Sequence, residues 1–135
     1  MTVANTKKRN TFVLDTSFVL AYLLPDEKER SVDEMFSKFE ENKISFIAPH
    51  LLAYEITNGL RSAVVQKRQS PKTAELLLDS FLNMGILFER VNEKEVFRLA
   101  LKNNITSYDA AYVWLAKSKK TKLLTLDERL EDVVK

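Results

Sequence analysis

The sequence predicts an α/β fold around a short parallel sheet, and three observations carry that expectation. Short apolar runs rich in β-forming residues alternate with longer stretches of helical periodicity. No Asn-Gly or similar hairpin signal joins the runs, so parallel strands linked by right-handed helical crossovers are expected. The runs also lack polar alternation, as strands covered on both faces do.

The elements follow in order. Residues 1–10 are polar and expected to be flexible. Residues 11–15, T-F-V-L-D, form a first strand that ends on Asp15. Thr16 and Ser17 are placed to cap a short helix over 18–24, which Pro25 terminates. Residues 26–42 carry Val32, Met35, Phe36 and Phe39 on one helical stripe, and 45–48 are a second strand. Pro49 is expected to open a long helix to about Arg68, with Leu52, Ile56, Leu60 and Ala63 facing the core and Glu55 at the edge of that stripe. Gly59 lies on the face of Glu55 and marks either close packing or an opening beside it. Pro71 opens the next helix, with Ala74, Leu77, Leu78, Phe81 and Leu82 inward and Gly85 at its end. Residues 86–91 are a third strand, 93–104 a helix with Val96, Phe97, Ala100 and Leu101 apolar, and 122–126 a fourth strand. Asp127 begins a final short helix.

At 135 residues the chain is expected to be a single domain spanning 1–135, with no internal repeat or linker. Its 45% hydrophobic and 30% charged residues are those of an ordinary soluble globular chain. No cysteine and a single histidine, His50, exclude disulfides, thiolate metal sites, Cys nucleophiles and a His-rich zinc centre, leaving oxygen-ligated metals as the available inorganic chemistry. His50, beside Pro49, is read as structural. With 21 basic against 19 acidic residues there is no global basic signature, and the local clusters are Lys7 to Arg9, Lys67 with Arg68, and 117–122. The apolar run 12–24 follows basic residues as a signal peptide's does, but Asp15 interrupts it and it is too short to span a bilayer. No membrane association and cytoplasmic residence are expected.

Residues 106–116, T-S-Y-D-A-A-Y-V-W-L-A, read as a helix buried on most sides, in which Asp109 is the one charged side chain. Thr106 and Asp109 have capping-box spacing, so Asp109 has a capping reading on this segment alone. The other carboxylates shift the balance. In an open parallel sheet ligands gather beyond the carboxyl ends of the strands. Asp15 ends the first strand, Asp127 follows the fourth, and Glu55 and Asp109 lie in the first halves of their helices. Each has an ordinary reading as an Asx turn, cap or boundary residue, yet all four are expected to reach one edge. Two carboxylates about 4 Å apart repel by roughly 4 kcal/mol at an effective dielectric of 20. One or two Mg²⁺ or Mn²⁺ ions relieve that repulsion, bind phosphate oxygens and activate water. Metal-assisted phosphodiester hydrolysis is therefore the chemistry expected, with the hydroxyls of Thr16, Ser17, Thr106 and Thr125 at hand to orient water or phosphate. Tyr108, Tyr112 and Trp114 are candidates for base stacking, though their spacing also suits core or dimer interface.

V-L-D-T-S at 13–17, the helix with Glu55, T-S-Y-D-A-A-Y at 106–112 and L-L-T-L-D at 123–127 occur in an order that resembles the PIN-domain ribonucleases, and more narrowly the VapC-type toxins of bacterial toxin–antitoxin pairs. The resemblance extends over nearly the whole chain from Thr11. It implies an α/β/α sandwich around a parallel sheet of four or five strands, and an RNA endonuclease requiring Mg²⁺ or Mn²⁺. It further implies Asp15, Glu55 and Asp109 as the main acidic ligands, Asp127 as the fourth, and Thr106 as a supporting hydroxyl. A homodimer and a cognate antitoxin that blocks the cleft are implied too. The lysine-rich turn before the fourth strand departs from the glycine-containing turn of the family. Two rivals are a noncatalytic RNA- or partner-binding domain of the same fold, and a Mg-dependent phosphoacceptor module. The latter needs an acidic pair after the first strand and a lysine after the last, where this chain has Thr16, Ser17 and T-L-D-E.

Overall fold

Four strands, all parallel, form the sheet of the computed structural model, which describes residues 10–135. The basic cluster Lys7 to Arg9 lies outside the described residues, as does nearly all of the segment expected to be flexible. The strands are β1 (Asn10–Leu14), β2 (Ile44–Pro49), β3 (Leu87–Glu89) and β4 (Leu123–Leu124), in the spatial order β3-β2-β1-β4. The helices are α1 (Thr16–Leu23), α2 (Arg30–Glu40), α3 (Leu51–Val65), α4 (Pro71–Leu82), α5 (Glu93–Asn103), α6 (Ser107–Ser118) and α7 (Glu128–Val134). The chain is α/β, and its sheet has four strands.

The register places Val13 opposite both Ile47 and Leu123, and Leu14 opposite Leu124. Consecutive residues Val13 and Leu14, and Phe46, Ile47 and Ala48, are all buried, so both faces of the central strands are covered. This explains why those runs show no period of two. The core gathers side chains from β1, β2, α1, α2, α3 and α4 with Tyr112, Leu115 and Ala116 of α6. Within it Phe36 stacks on Tyr22 at 3.9 Å and meets Phe46 edge-on at 5.0 Å. A second cluster joins Val96 and Ala100 of α5 to Ala110 and Ala111 of α6.

Several element boundaries differ from expectation, each for a physical reason. α1 starts at Thr16 because Asp15, and not Thr16 or Ser17, is its cap, its side chain accepting from the Phe18 amide. The helix expected over 26–42 is split: Pro25–Glu27 is a single 3₁₀ turn, and α2 begins at Arg30. Arg68 holds that turn by donating to Asp26 at 2.7 Å and Glu27 at 3.0 Å, which occupies part of a cluster considered for nucleic acid. Pro49 closes β2 instead of opening α3, which begins at Leu51. α4 ends at Leu82 with Asn83 as its cap, and Gly85, at φ 94°, turns the chain two residues later. Leu82, Phe97 and Leu101 are exposed, so the apolar faces of α4 and α5 are narrower than their patterns suggested. Gly59 marks close packing: a Cβ there would lie 2.6 Å from Leu20 Cδ1, where α3 crosses α1.

Candidate active site

Asp15 is the most enclosed carboxylate of the described chain, 5% exposed at the carboxyl end of β1. Its Oδ1 accepts from Ser17 Oγ at 2.7 Å and the Phe18 amide at 3.1 Å, and its Oδ2 accepts from the Thr125 hydroxyl. Thr125 is itself buried just after β4, so the bond ties the ends of two neighbouring strands. Thr125 Oγ1 also accepts from the Asp127 amide, and Ser17 Oγ from the Leu126 amide. The T-L-D turn is thus pinned to the D-T-S turn through hydroxyls. Burial pushes the Asp15 carboxyl above the ordinary range. Its hydrogen bonds oppose that shift, and the neighbouring Asp109 charge adds to it.

Glu55 projects from the second turn of α3 and is held by two hydroxyls. Its Oε1 accepts from Tyr112 at 2.6 Å and from Thr16 at 2.7 Å, and these two hydroxyls lie 3.1 Å apart. Tyr112 is buried, and burial followed by the bond to Glu55 raises its phenol so that it stays a neutral donor. α1, α3 and α6 therefore meet at one carboxylate.

Asp109 sits in the first turn of α6, whose cap is Thr106: the Thr106 hydroxyl accepts from the Asp109 amide at 3.1 Å. The Asp109 side chain does not bond back to the Thr106 amide, so the capping box is only half formed. Nor is it sunk in an apolar surface, with 30% of the side chain exposed. Partial burial raises its carboxyl, Arg129 lowers it, and Asp127 and Glu55 raise it again. Asp127 caps α7 by accepting from the Arg129 amide at 2.9 Å. Its carboxyl is held below the ordinary range, chiefly by the Arg129 guanidinium at 3.0 Å. The same Arg129 Nη2 lies 3.6 Å from Asp109 Oδ2.

Four carboxylates from four elements thus lie at the carboxyl edge of the sheet, with Asp109 the one close enough to the others for its charge to couple with Asp15, Asp127 and Glu55. Among the described residues, no three acidic or histidine side chains converge tightly enough to hold an ion in the rotamers they adopt. In those rotamers Glu55 is turned to two hydroxyls, and Asp109 and Asp127 to Arg129. In chemistry the donors fit a hard divalent cation, being oxygen-only and mutually repelling, with one positive group already drawn between two of them.

Two groups have a role at this edge that consecutive residues do not announce. Arg129 stands two residues after the helix-capping Asp127, and its guanidinium returns to that carboxylate. Tyr112, by its spacing a candidate for core, interface or stacking, bonds Glu55 across 57 residues of sequence. The helical run 110–116, considered for a subunit interface, is buried against its own chain except for half-buried Trp114, whose indole N–H donates to Glu95 at 2.9 Å. Of the three aromatic stacking candidates Tyr108 is the exposed one, and Tyr54 is exposed beside it on the wall of a groove that also takes in Thr16 and Glu55. Lys119, Lys120 and Lys122 line a hollow with residues 10–12 at the opposite, amino edge of the sheet. His50 stacks on Phe88 with ring centres 6.0 Å apart.

The fold and this acidic edge define a class, and comparison with known proteins agrees with it. The PIN domain matches residues 12–135, and the chain belongs to the PIN-domain family. Its relatives there carry VapC names. Ribonuclease VapC3 of Pyrobaculum aerophilum is 30% identical over 120 residues, covering 89% of this chain and 92% of that protein. Ribonuclease VapC9 of Mycobacterium tuberculosis is 30% identical over 127 residues, covering 89% and 88%. The crystal structure of PAE2754 from Pyrobaculum aerophilum superposes with a TM-score of 0.75 at 25% identity, covering 95% of this chain and 89% of that one. No helix among the described residues is long and apolar enough to cross a membrane.

Proposed function

We propose that this chain is a Mg²⁺- or Mn²⁺-dependent RNA endonuclease and the toxin of a toxin–antitoxin pair. The observation that carries the reading is the gathering of Asp15, Glu55, Asp109 and Asp127 at one sheet edge, in a chain whose relatives are named VapC ribonucleases. When bound, a divalent ion supplies charge neutralisation for a phosphodiester and lowers the pKa of an attacking water.

The chain's own residues do the positioning. Asp15 is the fixed ligand, because the Phe18 amide, Ser17 and Thr125 leave it no freedom to turn away. Glu55 is aimed by Tyr112 and Thr16, while Thr106 sets the first turn of α6 and with it the backbone of Asp109. Asp127 is carried to the edge by the bonds that join 125–127 to Asp15 and Ser17. Tyr54 and Tyr108, exposed beside Glu55, offer faces on which unpaired RNA bases stack. The proposal includes a homodimer and a cognate antitoxin, for which exposed Phe97 and Leu101 of α5 provide apolar surface.

The test is cleavage of RNA by purified protein with and without Mn²⁺, for the wild type, Asp15→Asn and Asp109→Asn. The wild type is expected to cut only with metal and both variants to be inactive while folded. Undiminished cleavage by either variant overturns the assignment.

A further inference from the structure

Arg129 is the cationic side chain paired with the acidic cluster. Its Nη2 stands 3.0 Å from Asp127 Oδ2 and 3.6 Å from Asp109 Oδ2, so one guanidinium bridges two carboxylates carried by different helices. Its backbone amide separately donates to Asp127 Oδ1 at 2.9 Å, which fixes the root of the side chain. The head is otherwise loose, with 66% of the side chain exposed. Among the described residues, no other Lys or Arg pairs with Asp15, Glu55, Asp109 or Asp127.

We propose that Arg129 is a tethered counter-ion that a divalent cation must displace from Asp109 and Asp127. The inference rests on the metal-dependent reading above and adds to it a residue that sets metal affinity. Without metal the guanidinium offsets the repulsion between the two carboxylates and holds both to one side chain. With metal they turn from Arg129 to the ion, and the long exposed side chain swings into solvent on its fixed root. Part of the ion's binding free energy goes into breaking those contacts, so Arg129 weakens metal binding while keeping the unloaded site ordered. An exposed ion pair has a modest value. The expected change on losing the competitor is therefore a factor of about two to five in Kd.

The experiment is calorimetric titration of the full chain with Mn²⁺ at low ionic strength, for the wild type, Arg129→Gln and Arg129→Lys. Arg129→Gln is expected to bind Mn²⁺ roughly two- to five-fold more tightly. Arg129→Lys should fall between the two, because an ammonium keeps the charge but not the planar fork. Raising the salt concentration should narrow the difference, as screening weakens the competing pair. Unchanged or weaker binding by Arg129→Gln overturns the proposal. The cap of α7 uses the backbone amide of residue 129, which glutamine retains. Should Arg129→Gln nevertheless fail to fold, Arg129→Lys decides the matter alone: tighter binding than wild type supports the proposal and equal binding overturns it. If all folded proteins bind Mn²⁺ equally, only the role of Arg129 falls; if none binds it, the metal-dependent reading falls as well.

Discussion

Replacing Asp15 in two ways separates what its charge costs the fold from what its hydrogen bonds contribute. The carboxylate is 5% exposed and its pKa is raised, mainly by burial. For a carboxyl raised on folding, the unfolded chain ionises first as pH increases. Stability is therefore lost between the unfolded and folded values, and the loss persists at neutral pH. Asp15→Asn and Asp15→Ala both remove that charge, so the difference between them isolates the hydrogen bonds. Asn caps a helix about as well as Asp and keeps an acceptor for Ser17 and the Phe18 amide. Its new N–H₂ faces Thr125, whose hydroxyl hydrogen then loses its acceptor. Ala removes the cap as well, at a typical cost of about 1 kcal/mol, and strips the Ser17 hydroxyl of its acceptor. Asp15→Ala is therefore expected to be less stable than Asp15→Asn by roughly 1–3 kcal/mol. For a chain of this size that is a separation of about 3–10 °C in Tm. The assay is thermal unfolding in chelator at pH 7 and again at pH 4. Asp15→Asn should melt above Asp15→Ala at both pH values, and should lose any advantage over the wild type as the pH falls. Coincident melting of the two variants would refute the claim that Asp15 caps α1 and holds the Ser17 hydroxyl.

Tyr112→Phe removes one of two donors to Glu55 Oε1 without changing the packed ring, and should cost about 1–2 kcal/mol, less than a fully buried charged hydrogen bond because Glu55 is half-exposed. A double-mutant cycle with Glu55→Gln measures the coupling, and a value near zero refutes the contact. Glu55→Gln by itself should weaken Mn²⁺ binding and raise thermal stability in chelator, since Glu55 is among the charges that raise the Asp109 carboxyl; lower stability in chelator counts against clustered repulsion. Tyr108→Ala removes an exposed ring, so it should leave the unfolding free energy within about 0.5 kcal/mol of wild type while weakening single-stranded RNA binding by roughly 1–3 kcal/mol. Binding to an inactive Asp109→Asn background, followed by fluorescence anisotropy, measures it, and equal affinities refute stacking by Tyr108.

Much of the architecture was legible along the chain because it rests on local patterns. The runs at 11–15, 45–48, 86–91 and 122–126 lie at the four strands, and the lack of hairpin signals matched four parallel neighbours. The acidic candidates were readable for a related reason: strand ends and first helical turns are local features, and a parallel sheet sends them to one edge. The boundaries that differ have a tertiary origin. A 3₁₀ turn at Pro25–Glu27 and a β2 that runs on to Pro49 depend on tertiary contacts, such as the grip of Arg68 on Asp26 and Glu27, that no nearby residue announces. Phe97 and Leu101 fitted a helical stripe, yet α5 buries only Val96 and Ala100, because α6 presents small alanines there.

The sequence by itself determined the α/β class, the parallel sheet and the set of carboxylates offered to its edge, since periodicity and element ends are written in consecutive residues. Tertiary structure alone decided what each carboxylate does there. Thr125 reaches Asp15 across 110 residues, Tyr112 reaches Glu55 across 57, and Arg129 comes to rest between Asp109 and Asp127. Hydrogen bonds and ion pairs act over a few ångströms in space whatever the separation along the chain. Partners of that kind become visible only once the strands are laid side by side.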